Sequence, residues 1–204
     1  MSRGGQVVYV VFDTETTGLP KSWRAPPSDT ACWPRIVQLA WAVYDARGRK
    51  IDAESWVVRP EGFTIPKAAE RIHGISTAKA RRDGRDLREV LASFALAIRR
   101  ADVVVSHNLR FDENVVSAEF HRIGKPVDLH RKTRLCTMVT ATEYCQIPGP
   151  YGFKWPTLLE LHTTLFGKGL QDAHDAAADV VACAKCFFEL RRLGVIRVAK
   201  GRAV

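Results

Sequence analysis

Hydrophobic and polar positions along the chain predict a short set of elements. Residues 7–12 (VVYVVF) form an unbroken apolar run rich in β-branched side chains, the pattern of a central strand covered on both faces. Residues 36–44 and 51–58 are two more strand-like runs, separated by the polar turn 45–50 with Gly48, so an antiparallel hairpin is expected. Between the first strand and the hairpin, residues 18–34 carry Pro20, Pro26, Pro27 and Pro34, which rules out helix and predicts a surface loop beside whatever site the first strand serves. Leu87, Val90, Leu91, Phe94 and Ile98 recur at helical spacing, and residues 103–105 (VVV) then read as a second buried strand. Three further helices are expected: 112–123, stopped by Gly124 and Pro126; one through Leu158, Leu161 and Leu165 to Gly167; and one placing Val180, Ala184 and Phe187 on a stripe. The order predicts an α/β chain, with a mixed central sheet of about five strands flanked by helices.

Composition narrows the class. At 204 residues and 46% hydrophobic, the chain fits a single domain over 1–204, with a short basic C-terminal tail at 195–204. No apolar run approaches a membrane span and the first residues lack a signal-like segment, so a cytoplasmic protein is expected, nucleoid-associated if bacterial. A formal charge of +9 favours a polyanionic partner, and nucleic acid above others. Basic runs at 81–85, 130–134 and 191–192 are candidate phosphate contacts, with a solvated basic face as the competing reading and the better one for at least one of them. Cys183 and Cys186 spell C-x-x-C, but the segment reads as helix and no second pair completes a zinc site, so buried helical thiols are expected. Trp23, in the polar loop, is the expected base-stacking residue. Trp33 and Trp155, each beside a proline, are expected to pack structurally.

The candidate chemistry lies in acids at element ends. Asp13 and Glu15 follow the central strand and, two residues apart, project to one face. A single acid at a strand end is usually a turn residue, whereas two like charges leaving a buried strand need compensating cations, and oxygen donors suit Mg²⁺ or Mn²⁺. Asp112, after the second buried strand, alone reads as a helix cap. In the segment 173–179, positions five apart on a helix are about 140° apart, so His174 and Asp179 meet one site only if His174 precedes the helix, with Asp175 as its N-cap.

Three motifs in this order, FDTETTG at 12–18, HNLRFD at 107–112 and H-x-x-x-x-D at 174–179, resemble the DnaQ-like 3′-to-5′ exonucleases of the DEDDh branch, which have a ribonuclease H-like fold. Similarity extends through 33–41, 72–76 and 154–158. The resemblance implies a hydrolase of phosphodiester bonds, similar to the epsilon subunit of DNA polymerase III. Asp13, Glu15, Asp112 and Asp179 would bind two divalent ions, Mg²⁺ or Mn²⁺, with His174 as general base. It further implies that Thr16, Gly18, Leu19, His73, Asn108 and Phe111 meet the terminal nucleotide. The expected substrate is the 3′ end of single-stranded or frayed DNA, with an exoribonuclease of the same chemistry as the alternative. A catalytically silent nucleic-acid-binding module and a thiol redox protein using Cys183 and Cys186 are the rivals from other classes. A DNA polymerase partner is conceivable, but the chain ends at Val204 shortly after the last helix, so a stand-alone enzyme is expected.

Overall fold

In a computed structural model of the chain, residues 7–127, 129–170, 175–199 and 202–203 are described. A five-stranded mixed sheet runs β3-β2-β1-β4-β5, from β1 (Tyr9–Thr16), β2 (Ile36–Tyr44), β3 (Lys50–Val57), β4 (Val103–Ser106) and β5 (Thr133–Cys136). β1, β2 and β3 are antiparallel neighbours, and β4 and β5 are parallel to β1. This is the mixed sheet with an early hairpin that the hydrophobic pattern predicts.

Parity along β1 divides the molecule into two layers. Val10 and Phe12 face a core built with Trp41 of β2, Leu91 and Phe94 of α3 (Leu87–Arg100), and Val116 and Phe120 of α4 (Leu109–Arg122). Tyr9 and Val11 face the opposite core, with Val180, Cys183, Phe187 and Leu190 of α8 (Ala176–Arg192) and Leu161 of α7 (Leu158–Phe166). Because both faces of β1 and β2 are covered, all nine residues of β2 are buried. The aromatic contacts Phe12–Phe94 and Trp41–Phe94, each at 5.3 Å between ring centroids, lock α3 onto the sheet.

Several expectations are corrected. Residues 67–83 contain α1 (Lys67–His73) and α2 (Thr77–Asp83), which few apolar positions announce. The fifth strand, β5, is not expected at this position, and it begins within the basic run 130–134. There Arg134 pairs with Glu113 at 3.3 Å and Lys132 Nζ donates to the Ala101 carbonyl at 2.7 Å. Arg191 lies over the Tyr9 ring at 4.9 Å, and Arg192 pairs with Glu189 at 2.7 Å. In the run 81–85, Arg82 pairs with Asp83 and Arg85 stacks on Trp56 at 3.4 Å. Trp33 is buried as expected, but Trp155 is 63% exposed and is not a packing residue. α4 starts at Leu109 with Asn108 as N-cap, so Asp112 sits in the first turn and does not cap it. Between β5 and α7 lie the short helices α5 (Thr137–Thr140) and α6 (Thr142–Cys145) and the paired strands β6 (Pro148–Gly149) and β7 (Gly152–Phe153), and the C-terminal hairpin β8 (Val198–Ala199) and β9 (Arg202–Ala203) lies against β5. Among the described residues no helix is long and apolar enough to cross a membrane.

One buried carboxylate organises the loop 18–34. Glu119 is fully buried on α4, and its Oε1 accepts from Arg35 Nε at 2.9 Å and the Ile36 amide at 3.0 Å, with Arg122 Nη1 at 3.1 Å. Arg122 in turn donates to the carbonyls of Thr30, Trp33 and Pro34. Truncating Glu119 would leave two guanidinium groups with a buried partner missing. Glu119→Ala is expected to destabilise the fold by roughly 2–3 kcal/mol in urea unfolding, below the range for a fully buried pair because Arg35 and Arg122 keep some solvent contact.

Candidate metal centre

The register of β1 dictates where its acids go. Its parallel pairing to β4 covers Tyr9 to Val11, while its pairing to β2 continues through Asp13↔Ala40 and Glu15↔Gln38. Asp13 and Glu15 therefore lie beyond the end of β4, on the same parity as Tyr9 and Val11, toward α8. Ala40 and Ala42 are in the core on that face, and small side chains there let the helix come close to the sheet.

The first turn of α8 completes the cluster. Asp175 is its N-cap, as expected, accepting from the Ala177 and Ala178 amides at 2.9 and 3.1 Å. Gln38, opposite Glu15 in the register, donates to Asp175 Oδ2 at 3.2 Å and to Ser55 Oγ at 3.1 Å, and accepts from the Ala176 amide at 3.3 Å. This buried amide pins the start of the helix to the sheet. Asp179, one turn on, then meets the strand acids: carboxylate oxygens of Asp13, Glu15 and Asp179 all lie within 4.8 Å of one another. Each of the three offers hard oxygen, which fits a divalent cation.

Asp112 approaches from α4. Its Oδ1 accepts from the Thr14 amide at 3.1 Å and the Thr14 hydroxyl at 2.7 Å, and its Oδ2 accepts from Ser106 Oγ at 2.7 Å. The Thr14 amide, beyond the last residue that β4 pairs, thus finds a carboxylate in place of a strand carbonyl. Asp112 is held beside the three-acid group, with both oxygens already bonded, and is outside that group of close oxygens.

Electrostatics mark the cluster as short of positive charge. Burial first, then the charges of Asp112, Asp179 and Glu15, push the Asp13 carboxyl well above the usual carboxylate range. Glu15 is raised to about 7 by burial and by Asp179 and Asp112. Burial likewise raises Asp112 to about 7, against the lowering effect of the Ser106 and Thr14 hydrogen bonds. The groups acting on Asp13 are all carboxylates.

The residues expected at the terminal nucleotide are arranged as follows. Thr16 Oγ1 donates to the Gly18 carbonyl at 2.7 Å, Gly18 has φ 143°, and Leu19 beside it is 75% exposed. His73 is buried, with Nδ1 accepting from the Ile75 amide at 3.1 Å. Its Nε2 has no hydrogen-bond partner among the described residues, and burial lowers its pKa against the effect of the nearby Thr16 backbone. Phe111 packs against Trp23 with ring centroids at 5.9 Å. Asn108 has the left-handed conformation at φ 70° and lines a groove of about 680 Å³ with Trp23, Arg110, Met138, Val139 and Trp155. None of the four acids lines that groove. His174, the expected general base, lies outside the described residues. Sequence reasoning passed over Gln38, Thr14 and Ser106, which hold the acids in place.

The raised pKa values carry a stability consequence. In the folded, metal-free protein these carboxyls bind protons more tightly than in the unfolded chain, where they titrate near 4, so stability is full below about pH 4 on this account and falls as pH rises toward 7. The metal-free melting temperature is therefore expected to drop between pH 5 and pH 8. Added divalent cation should restore it, with a larger rise at pH 8 than at pH 5; calorimetry with and without EDTA checks both.

Comparison with known proteins fits this geometry. The family model described as Exonuclease (RNase_T) matches residues 10–187. Human Three-prime repair exonuclease 1 is 29% identical over 198 residues, covering 88% of this chain and 62% of that protein, so the chain spans less than two thirds of its relative's length. Among solved structures, E. coli Exonuclease I with a dA16 oligonucleotide superposes with a TM-score of 0.71 at 21% identity, over 91% of this chain and 41% of that one. A zinc-bound form of the same enzyme with single-stranded DNA gives 0.70 at 23% identity, over 93% and 41%. These likenesses show a shared ribonuclease H-like fold. The family match runs from the strand bearing Asp13 and Glu15 to the helix bearing Asp179, and the chain belongs to the exonuclease family.

Proposed function

We propose that the protein is a metal-dependent 3′-to-5′ exonuclease that releases nucleoside monophosphates from single-stranded or frayed DNA ends. The observation that carries this reading is the meeting of Asp13, Glu15 and Asp179 oxygens within 4.8 Å at the open end of β1. Family membership supports phosphodiester hydrolysis, and the human repair exonuclease and the DNA-bound Exonuclease I structures support DNA over RNA.

In this reading Asp13, Glu15 and Asp179, with Asp112 beside them, hold two divalent ions, Mg²⁺ or Mn²⁺. The chemistry such a pair supplies when bound is activation of the attacking water and neutralisation of charge on the departing 3′ oxygen. The protein's own groups do the rest. Ser106 and Thr14 fix the Asp112 carboxylate, and Gln38 fixes the helix start from which Asp179 projects. His174 directly precedes the N-cap Asp175 in sequence and takes a proton from the attacking water, a role suited to a side chain with a reference pKa of about 6.5. Thr16, Gly18 and Leu19, with His73 behind Thr16, receive the terminal nucleotide. The loop 18–34 is the flank of this surface, and residues 1–204 act as one exonuclease domain. The thiol reading finds no support: Cys183 and Cys186 are buried, and burial raises Cys183 and lifts Cys186 to about 12.

Incubation of 5′-labelled single-stranded DNA, RNA and 3′-mismatched duplex with Mg²⁺ or Mn²⁺ tests the proposal. A ladder shortening from the 3′ end, fastest on single-stranded DNA and abolished by EDTA, is expected; faster cleavage of RNA favours the exoribonuclease, and binding with no cleavage of any substrate sinks the enzyme reading. Asp13→Asn should lower kcat by about a thousandfold or more, equivalent to ~4 kcal/mol of barrier. His174→Ala should lower it by roughly a hundredfold or more with metal binding retained. Changing Cys183 and Cys186 to Ser should leave the ladder unchanged.

A further inference from the structure

Of the groove's two indole walls, Trp23 is expected from the sequence to stack a base, and neither has a role in the proposed hydrolysis. Trp23 is 40% exposed and Trp155 63% exposed, and both line the same space of about 680 Å³ together with Met138 and Val139. Exposed indoles are a poor use of apolar surface unless something covers them. The Trp23 ring is nevertheless fixed from beneath, and the backbone next to Trp155 is tied down. The Trp23 ring packs on Phe111 at 5.9 Å and on Trp33 at 6.4 Å, and its carbonyl accepts from Arg110 Nη2 at 2.7 Å. Beside Trp155, the Pro156 carbonyl accepts from His107 Nε2 at 3.0 Å, while His107 Nδ1 bonds Thr137 Oγ1 at 3.0 Å. His107 and Arg110 therefore hold the two walls from the same turn that delivers Asp112 to the acids.

We propose that this groove is a stacking subsite for unpaired bases of the strand just upstream of the 3′-terminal nucleotide, with Trp23 and Trp155 as its aromatic walls and His107 and Arg110 as positioning residues. The proposal rests on the exonuclease reading. Three observations identify the occupant as single-stranded nucleic acid. Asn108 and Arg110, which line the groove, stand within four residues of Asp112 on one turn, so a strand whose end lies at the acids can have its next nucleotides within reach of this space. Its walls are flat π-faces, which accept any base. Its rim carries the guanidinium groups of Arg110 and Arg134, and the buried Glu113, paired to Arg134, offsets only one of the two charges. That leaves positive charge for a phosphate backbone in a chain of net charge +9.

The test compares two substrates of the full chain with Mg²⁺: a short oligothymidylate, and the p-nitrophenyl ester of thymidine 5′-monophosphate, which has one nucleotide and nothing upstream. Stacking on one aromatic ring is worth about 5- to 150-fold per base, so Trp155→Ala should lower the ratio of kcat/KM for the oligonucleotide to that for the ester by roughly tenfold or more. The loss should appear mainly in KM, and Trp155→Phe should recover most of it. An unchanged ratio overturns the proposal, as does an equal loss on both substrates, which would mean that Trp155 only shapes the metal centre. Anisotropy of a labelled oligothymidylate with Ca²⁺ in place of Mg²⁺ gives a second reading. Weaker binding by Trp155→Ala with an unchanged melting temperature supports the subsite, and equal binding refutes it. If the wild-type protein cleaves neither substrate, the exonuclease reading fails while the binding comparison still decides the groove.

Discussion

Mutual repulsion among carboxylates at the open end of β1 is the constraint to which the rest of the molecule answers. Full charges some 4.8 Å apart repel by roughly 3–4 kcal/mol per pair at an effective dielectric near 20, before the cost of removing them from water. A protein can keep such a group by leaving the acids protonated or by adding cations. The raised values of Asp13, Glu15 and Asp112 show the first route, which the molecule follows when nothing else is bound. The second route exchanges protons for a divalent ion, so ion binding and proton release are one event here. The centre is thus at once a source of instability and a binding site, for the same electrostatic reason.

Holding those charges together requires a frame that does not yield. β1 is clamped by cores on both faces, and this is why its last residues can be polar and still be placed. The acids then arrive on three supports: strand parity for Asp13 and Glu15, the capped start of α8 for Asp179, and a hydroxyl-bonded turn for Asp112. Gln38 links two of these, since it sits opposite Glu15 and bonds both the Asp175 side chain and the Ala176 amide. A buried amide with all its groups engaged rigidifies its surroundings at little cost, whereas the same residue unpaired would be a liability.

Much of this was legible in the chain because it follows from periodicity. The run VVYVVF followed by D-T-E is enough to place a buried strand and two acids on one face, and the five-residue spacing of His174 and Asp179 lets Asp175 be read as a cap. The features that escaped have physical reasons. β5 is four residues long and half polar, so it reads as a basic loop, yet it completes the sheet because β4 offers it a free edge. α1 and α2 bury only three side chains between them and present no apolar stripe. Gln38 was hidden inside a strand buried on both faces, where alternation is lost; the available signal was a polar residue among eight apolar ones, which must find a partner. Trp155 was misread because adjacency to proline says how the backbone bends and nothing about what covers the ring.

The segment from Ser106 to Asp112 shows how one turn can serve two surfaces. Asn108, in the left-handed region, turns the chain sharply out of β4 and into α4. Side chains on either side of that turn diverge. At the metal centre Asp112 accepts from both Ser106 and Thr14, whereas His107 and Arg110 reach outward to the backbones beside Trp155 and at Trp23. Burial holds His107 down at about 4, so its ring stays neutral at physiological pH, with one nitrogen donating to Pro156 and the other accepting from Thr137. Acids and groove are therefore not separate parts whose spacing can drift. They are opposite sides of one short, hydrogen-bonded turn, and since a displacement of about 1 Å between a reacting group and its target can cost two orders of magnitude in rate, a shared support fixes the interval between them more firmly than two loops could.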